Sequence, residues 1–246
     1  MNQQIPDFEP TLVMSRAERI VQANSSMSWD IAVQTVLSVC CRFPALCSTF
    51  RQVHLFSEAH ISKWLENYFN GYNNRPSKRI SKKIGTIPDE IIDTIISVRL
   101  SSLDTQQITA IKSAHRLSMA AENILGLLLE EYLAEKLLPY GWYCCWGETM
   151  KSVDFCTHNG NLLQVKNRSN SENSSSNKVR QGTPIIKWHR INASNGAYYW
   201  DVLNERVGCT ELSEPDFSSF VRKTITDNPS AVYIEEDNVW NEVRDN

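Results

Sequence analysis

Two short apolar segments each carry groups that a strand interior does not hold without a reason. Ser-Val-Asp-Phe-Cys places Asp154 between Val153 and Phe155, and Leu-Leu-Gln-Val-Lys places Gln164 and Lys166 two residues apart. Residues two apart on an extended chain share a side. Asn159-Gly160 lies between the segments and is a strong hairpin signal, so Asp154 can be brought across to the same side. An acid, an amide and an amine beside apolar faces are costly to bury unless they are paired or used. The chemistry open to them is metal-assisted phosphodiester hydrolysis. Asp154 would hold Mg²⁺, a hard cation that wants oxygen ligands, with the Val165 carbonyl as an extra ligand. The side-chain oxygen of Gln164 would be a weaker ligand or would orient one. Lys166 would stabilise the attacking hydroxide or the charge of a phosphorane-like transition state.

The elements that must position these residues follow from periodicity. The first hundred residues read as helical. Ser28 caps a helix through Ile31, Val33, Val36, Leu37 and Cys40, and Ser57 to Phe69 forms another. Thr86, Pro88, Asp89 and Glu90 start a third, in which Ile91, Ile92, Ile95 and Ile96 mark a buried stripe. Asn70 to Gly85, rich in Asn, Ser, Gly, Lys and Arg, reads as a flexible loop with a possible role at a DNA backbone. Asp104 to Leu137 is a long helical pattern stopped by Pro139 and Gly141. Strands are then expected at 141–147, 152–157, 162–167 and 184–190, a helix at 215–225, and a late strand at 230–234. The fold class is α/β: a mixed sheet flanked by helices, in one domain spanning 1–246, with a helical subregion over 1–103 and a catalytic core over 104–246.

Composition narrows the class. Hydrophobic residues make up 41% and charged residues 22% of 246, as in a soluble globular protein, and the net charge of -3 excludes a polybasic one. Charge is nonetheless segregated. Residues 151–190 hold seven basic against two acidic side chains, whereas 201–246 hold four against eleven. Arg75, Lys78, Arg79, Lys82 and Lys83 form a second basic run with no acid between them. Such a chain can meet a polyanion on one face. The N-terminal MNQQIPDFEP lacks a basic head and an apolar stretch, no apolar run reaches the length of a membrane span, and the cytoplasm is the expected location. The seven cysteines form no CxxC and read as reduced thiols. No P-loop, GxSxG or HExxH is present. His158, His189 and the clusters at 142–146 and 198–200 read as structural.

The spacing of Asp154, Gln164 and Lys166 resembles the PD-(D/E)XK nucleases, with Val before the Asp and Gln in the acidic position. The segment LLQVKNRSNSENSSSNKVRQGTPIIKWHR is similar to type II restriction endonucleases of the SinI/AvaII kind, and the likeness extends over about 120–205. This resemblance implies a restriction-endonuclease-like fold and a prokaryotic homodimer. It implies Mg²⁺-dependent double-strand cleavage at a short site, GGWCC in the family, leaving 5′-phosphate ends. It also implies a cognate methyltransferase as a functional partner and no membrane. In this superfamily the helix before the first active strand often supplies a carboxylate. Glu122 is its candidate here, as a further catalytic and metal-binding residue, while Glu130 and Glu131 read as surface residues. Arg168, Asn173, Ser174, Ser175, Lys178, Arg180, Lys187 and Arg190 would lie near double-stranded DNA, with arginines suited to guanine and Lys and Ser to phosphates. The competing readings are a repair or structure-specific nuclease of the same fold and a DNA-binding module that has lost its catalytic acid.

Overall fold

The computed structural model describes residues 8–82, 89–169 and 182–241. Among these, helices α1 (Pro10–Gln22), α2 (Ile31–Arg42), α3 (Glu58–Asn73), α4 (Ile91–Arg99) and α5 (Thr105–Leu137) precede strands β1 (Trp142–Cys144), β2 (Phe155–Thr157), β3 (Leu162–Arg168) and β4 (Ile185–Ile191). Helices α6 (Trp200–Val207) and α7 (Glu214–Asp227) follow. The strands form one mixed sheet in the order β1-β2-β3-β4, antiparallel except for the parallel pair β3/β4.

Alternation along the strands builds a core on each face. Cys156, Leu162 and Ile185 pack with the apolar sides of α1, α2 and α3. Phe155, Leu163, Val165 and Trp188 pack on the other face with Ile124, Leu128 and Leu133 of α5 and with α6 and α7. Tyr132, Trp188, Trp200 and Phe217 form a connected aromatic cluster there, with ring centroids 5.2–5.9 Å apart. All seven cysteines are free and buried.

The β2–β3 hairpin closes as its turn chemistry dictates. Gly160 takes φ +86°, its N–H donates to the Thr157 carbonyl at 2.9 Å, and Arg42 caps the turn through the Asn159 carbonyl at 2.6 Å. Helix α5 opens with a capping box, Asp104 on the Gln107 amide and Gln107 back on the Asp104 amide. At 33 residues it spans about 50 Å, and only its second half lies against the sheet.

Several expectations are corrected. The N-cap of α2 is Asp30, which accepts from Ala32 and Val33, so Ser28 lies outside the helix. The isoleucine stripe of α4 is not buried: Ile91, Ile95 and Val98 are 57%, 62% and 77% exposed, and the helix packs on α5, with Lys112–Asp93 at 2.8 Å among the contacts. The stretch 74–82 is tied down rather than loose, through Glu131, Asn228 and Ser230. No strand forms at 230–234 among the described residues. Pro229 starts a 3₁₀ turn, and the Ser230 carbonyl accepts from Ser81 instead of a neighbouring strand.

Helix α3 approaches the turn after β1 backbone to backbone. A Cβ on Gly71 would stand 2.3 Å from the Gly147 nitrogen, and one on Gly147, at φ +70°, would stand 1.9 Å from the Asn67 carbonyl oxygen. We expect Gly71→Ala to cost on the order of 2–4 kcal/mol, because backbone cannot rotate away as a side chain can. Thermal unfolding checks this; an unchanged midpoint would mean that the two segments do not touch.

Candidate active site

Asp154 stands immediately before β2, where the main chain is already in the ladder. Its N–H donates to the Leu163 carbonyl at 2.9 Å, and its carbonyl accepts from Cys145 at 2.8 Å. Its carboxylate Oδ2 accepts the Val165 N–H at 2.6 Å, which leaves Oδ1 without a hydrogen bond among the described residues. The carboxylate is thus fixed by the strand that carries Gln164 and Lys166. In an extended strand the N–H and C=O of one residue face the same side, so the Val165 carbonyl also lies on the Asp154 edge of β3.

Asp154, Gln164 and Lys166 line one cleft of about 810 Å³, together with Glu130 of α5 and Glu148 of the turn after β1. Gln164 is buried and Lys166 half-buried. In the parallel register Lys187 and His189 of β4 sit beside Gln164 and Lys166. Burial, with some help from neighbours of like charge, makes this an expensive place for anions. Desolvation pushes the Glu130 carboxyl up to about 8; Asp154 and Glu148 push the same way, and Lys166 opposes them. Desolvation also lifts Asp154 to about 6, against the Val165 N–H and Lys166 and with Glu148.

Glu122, the expected helix carboxylate, is exposed and does not line the cleft. Glu130 does, two turns and about 12 Å further along α5. Nor is Glu131 a surface residue. It is buried, paired with Arg75 at 3.2 Å and bonded by the Ser77 amide at 2.9 Å. The sequence signal for Glu130 was position: it sits seven residues before the helix end that feeds β1, level with the sheet, whereas Glu122 does not. Glu148 has no such signal. It lies on an irregular turn at φ +55°, anchored through its neighbour Thr149, whose carbonyl accepts from Ser48 at 3.1 Å and Trp64 at 3.2 Å.

Among the expected DNA contacts, Asn173, Ser174, Ser175, Lys178 and Arg180 lie outside the described residues. Arg168 is exposed at the end of β3, and Lys187 is half-buried on β4. Arg190 is corrected: it is buried, its Nε donating to Asn167 at 2.9 Å and its Nη1 pairing with Glu214, with Phe217 beneath the guanidinium. That guanidinium is spent inside the fold.

Among the described residues no three acidic, histidine or cysteine side chains converge on a ready-made metal site. The oxygen donors the cleft offers a hard divalent cation would be two carboxylates, Asp154 and Glu130, with the Val165 carbonyl and water. The fit rests on charge: both carboxyls resist ionisation here, and a nearby cation would relieve that.

Raised carboxyl pKa values fix the sign of a pH effect. Both groups bind protons more tightly folded than unfolded, so their contribution to stability is greatest at low pH. It is lost as pH rises from the ordinary carboxylate range through 6 and 8. Metal-free protein is expected to melt several degrees lower at pH 8.5 than Glu130→Gln protein, with the gap closing near pH 5. Parallel melting curves for the two proteins across that range would disprove the assignment.

Comparison with known proteins supplies the family. The model of the SinI restriction endonuclease family matches residues 17–227. The chain is 41% identical over 199 residues to the type II restriction enzyme SinI of Salmonella infantis, covering 76% of this chain and 84% of that one. It is 39% identical over 186 residues to the type II restriction enzyme Eco47I of Escherichia coli, covering 74% and 80%. The matched span contains the whole sheet and the cleft. The chain belongs to the SinI restriction endonuclease family and is a type II site-specific deoxyribonuclease.

Proposed function

We propose that the cleft between β2, β3 and α5 is where the phosphodiester is cut, with Mg²⁺ as the cofactor and double-stranded DNA as the substrate. The observation that carries this reading is the convergence of Asp154, Glu130, Gln164 and Lys166 on one cleft, with Asp154 pinned to β3. Asp154 Oδ1, Glu130 and the Val165 carbonyl would hold the ion. A divalent cation there supplies Lewis acidity toward a phosphoryl oxygen and acidity to a neighbouring water. Lys166 donates its ammonium N–H to the negative charge that builds on the phosphoryl group. Gln164 has no charge to give; buried beside Lys166, its amide orients the donors around it. Arg168 and the Asn/Ser-rich segment after β3 would meet the DNA, and the target would be a GGWCC-like site cut to leave 5′-phosphate ends. A cognate methyltransferase would protect the host's own copies of that site.

Asp154→Ala and Lys166→Ala are each expected to lower plasmid cleavage by about 100-fold or more, and Glu130→Gln to do the same, while Glu122→Gln cuts normally. End-mapping of a digested plasmid reads both the activity and the site. Persistent cutting by Asp154→Ala would remove the site assignment. Tight binding without cutting by the wild type would favour a DNA-binding module.

One active site cuts one strand, and a two-fold pair cuts both. We propose that the second copy covers α4. Ile91, Ile92, Ile95, Val98 and Leu100 with Ile111 of α5 are exposed. Together they present a largely apolar surface. A nine-residue helix with no fully buried side chain gains stability from such a cover. Ile95→Asp with Val98→Asp is expected to yield a folded monomer that nicks rather than breaks duplex DNA. Sedimentation checks it, and an unchanged dimer would place the interface elsewhere.

A further inference from the structure

The basic run before α4 has one arginine that the fold uses and one that it does not. Residues 74–82 are held by four partners, Glu131, Asn228, Ser230 and Ala231. Glu131 takes the Ser77 amide and hydroxyl and the Arg75 guanidinium. Asn228 donates to the carbonyls of Pro76 at 2.8 Å and Arg79 at 2.9 Å. Ser81 donates through its N–H to the Ser230 carbonyl at 2.9 Å and through its hydroxyl to Ala231. The segment is therefore a fixed wall, and Arg75, Pro76 and Arg79 line the same cleft as Asp154 and Lys166.

Arg75 is consumed by that framework. Besides Glu131 it donates to the Tyr72 carbonyl at 2.6 Å and lies over the Tyr72 ring at 4.0 Å. Arg79 differs. Its side chain is half-buried, its Nε–H is shut off from water, and that N–H meets no acceptor among the described residues. It makes no ion pair with Glu130, Glu148 or Asp154, although all of them line the cleft. A buried guanidinium N–H with no acceptor is costly, and such groups in a native fold await a partner. An anion entering the cleft would satisfy it best, and a guanidinium's planar fork matches phosphate oxygens.

We infer that Arg79 binds a backbone phosphate of the DNA strand lying in the cleft, held in place for that role by Glu131 and Asn228 through the segment they anchor. The inference rests on the cleft being the site of cleavage. It makes Arg79 a substrate-binding residue, distinct from the Asn/Ser-rich segment that follows β3. Because a phosphate contact carries no sequence information, its loss weakens all duplexes alike.

The test is steady-state cleavage of a short duplex by the Mg²⁺-loaded full chain over a range of salt, for wild type, Arg79→Ala, Arg79→Lys, Arg75→Ala and Asp154→Ala. Arg79→Ala is expected to raise KM about tenfold with its melting point kept, and to reduce the salt slope of binding by about 1. Arg79→Lys keeps the slope and part of the affinity. Arg75→Ala lowers the melting point. With the wild type cutting and Asp154→Ala silent, an unchanged KM and slope in Arg79→Ala overturns the inference alone. Cutting by Asp154→Ala overturns the site reading and the inference with it.

Discussion

The hydrogen bond from the Val165 amide to the Asp154 carboxylate is the constraint on which the site depends. It ties the acid to the strand that carries the amine. One oxygen is fixed by a strand that is itself fixed on both sides, so the other oxygen has one direction to face. Among the described residues its hydrogen bonds are to main chain: Asp154 is laddered to Leu163 and Cys145 as well. A carboxylate held by side chains alone would have more rotamers to choose from; this one is pinned through Oδ2.

Around that fixed point the fold assembles charge that it could not keep without a use. Helix α5 lays Leu128 and Leu133 on the sheet and thereby delivers Glu130 to the cleft. The turn after β1 delivers Glu148, and its geometry depends on the contact between Gly71 and Gly147. The resulting repulsion and desolvation hold Glu130 and Asp154 above the ordinary carboxylate range. Lys166 offsets part of this; a divalent cation would offset the rest. Gln in place of a second strand acid is then intelligible: where Asp154 and Glu130 already resist ionisation, another carboxylate at 164 would add repulsion to a buried position.

What the sequence shows directly is what local physics decides. The Asn-Gly turn and the two-residue periodicity place Asp154, Gln164 and Lys166 on one cleft, and the capped, periodic stretch from 104 to 137 is one helix. The sequence does not show how far along that helix the sheet begins, and this is why Glu122 rather than Glu130 seemed the partner. It does not show that Arg190 faces inward, because alternation along an edge strand leaves the face ambiguous until Glu214 and Phe217 arrive from α7. The isoleucines of α4 read as core because apolar periodicity marks a face that something could cover, not what covers it. The basic loop read as mobile because its anchors, Glu131 and Asn228, lie 54 and more residues away in the chain.

The most direct measurement of the central claim, that Asp154 and Glu130 share a divalent cation, is calorimetric titration of Mg²⁺ into the protein in buffers of differing ionisation enthalpy. Because Glu130 is largely protonated at pH 7 without metal, binding should release about one proton there and almost none at pH 9. In Glu130→Gln the release at pH 7 should vanish and the affinity fall. Binding with no proton release at pH 7, or with the same release in the variant, would contradict it.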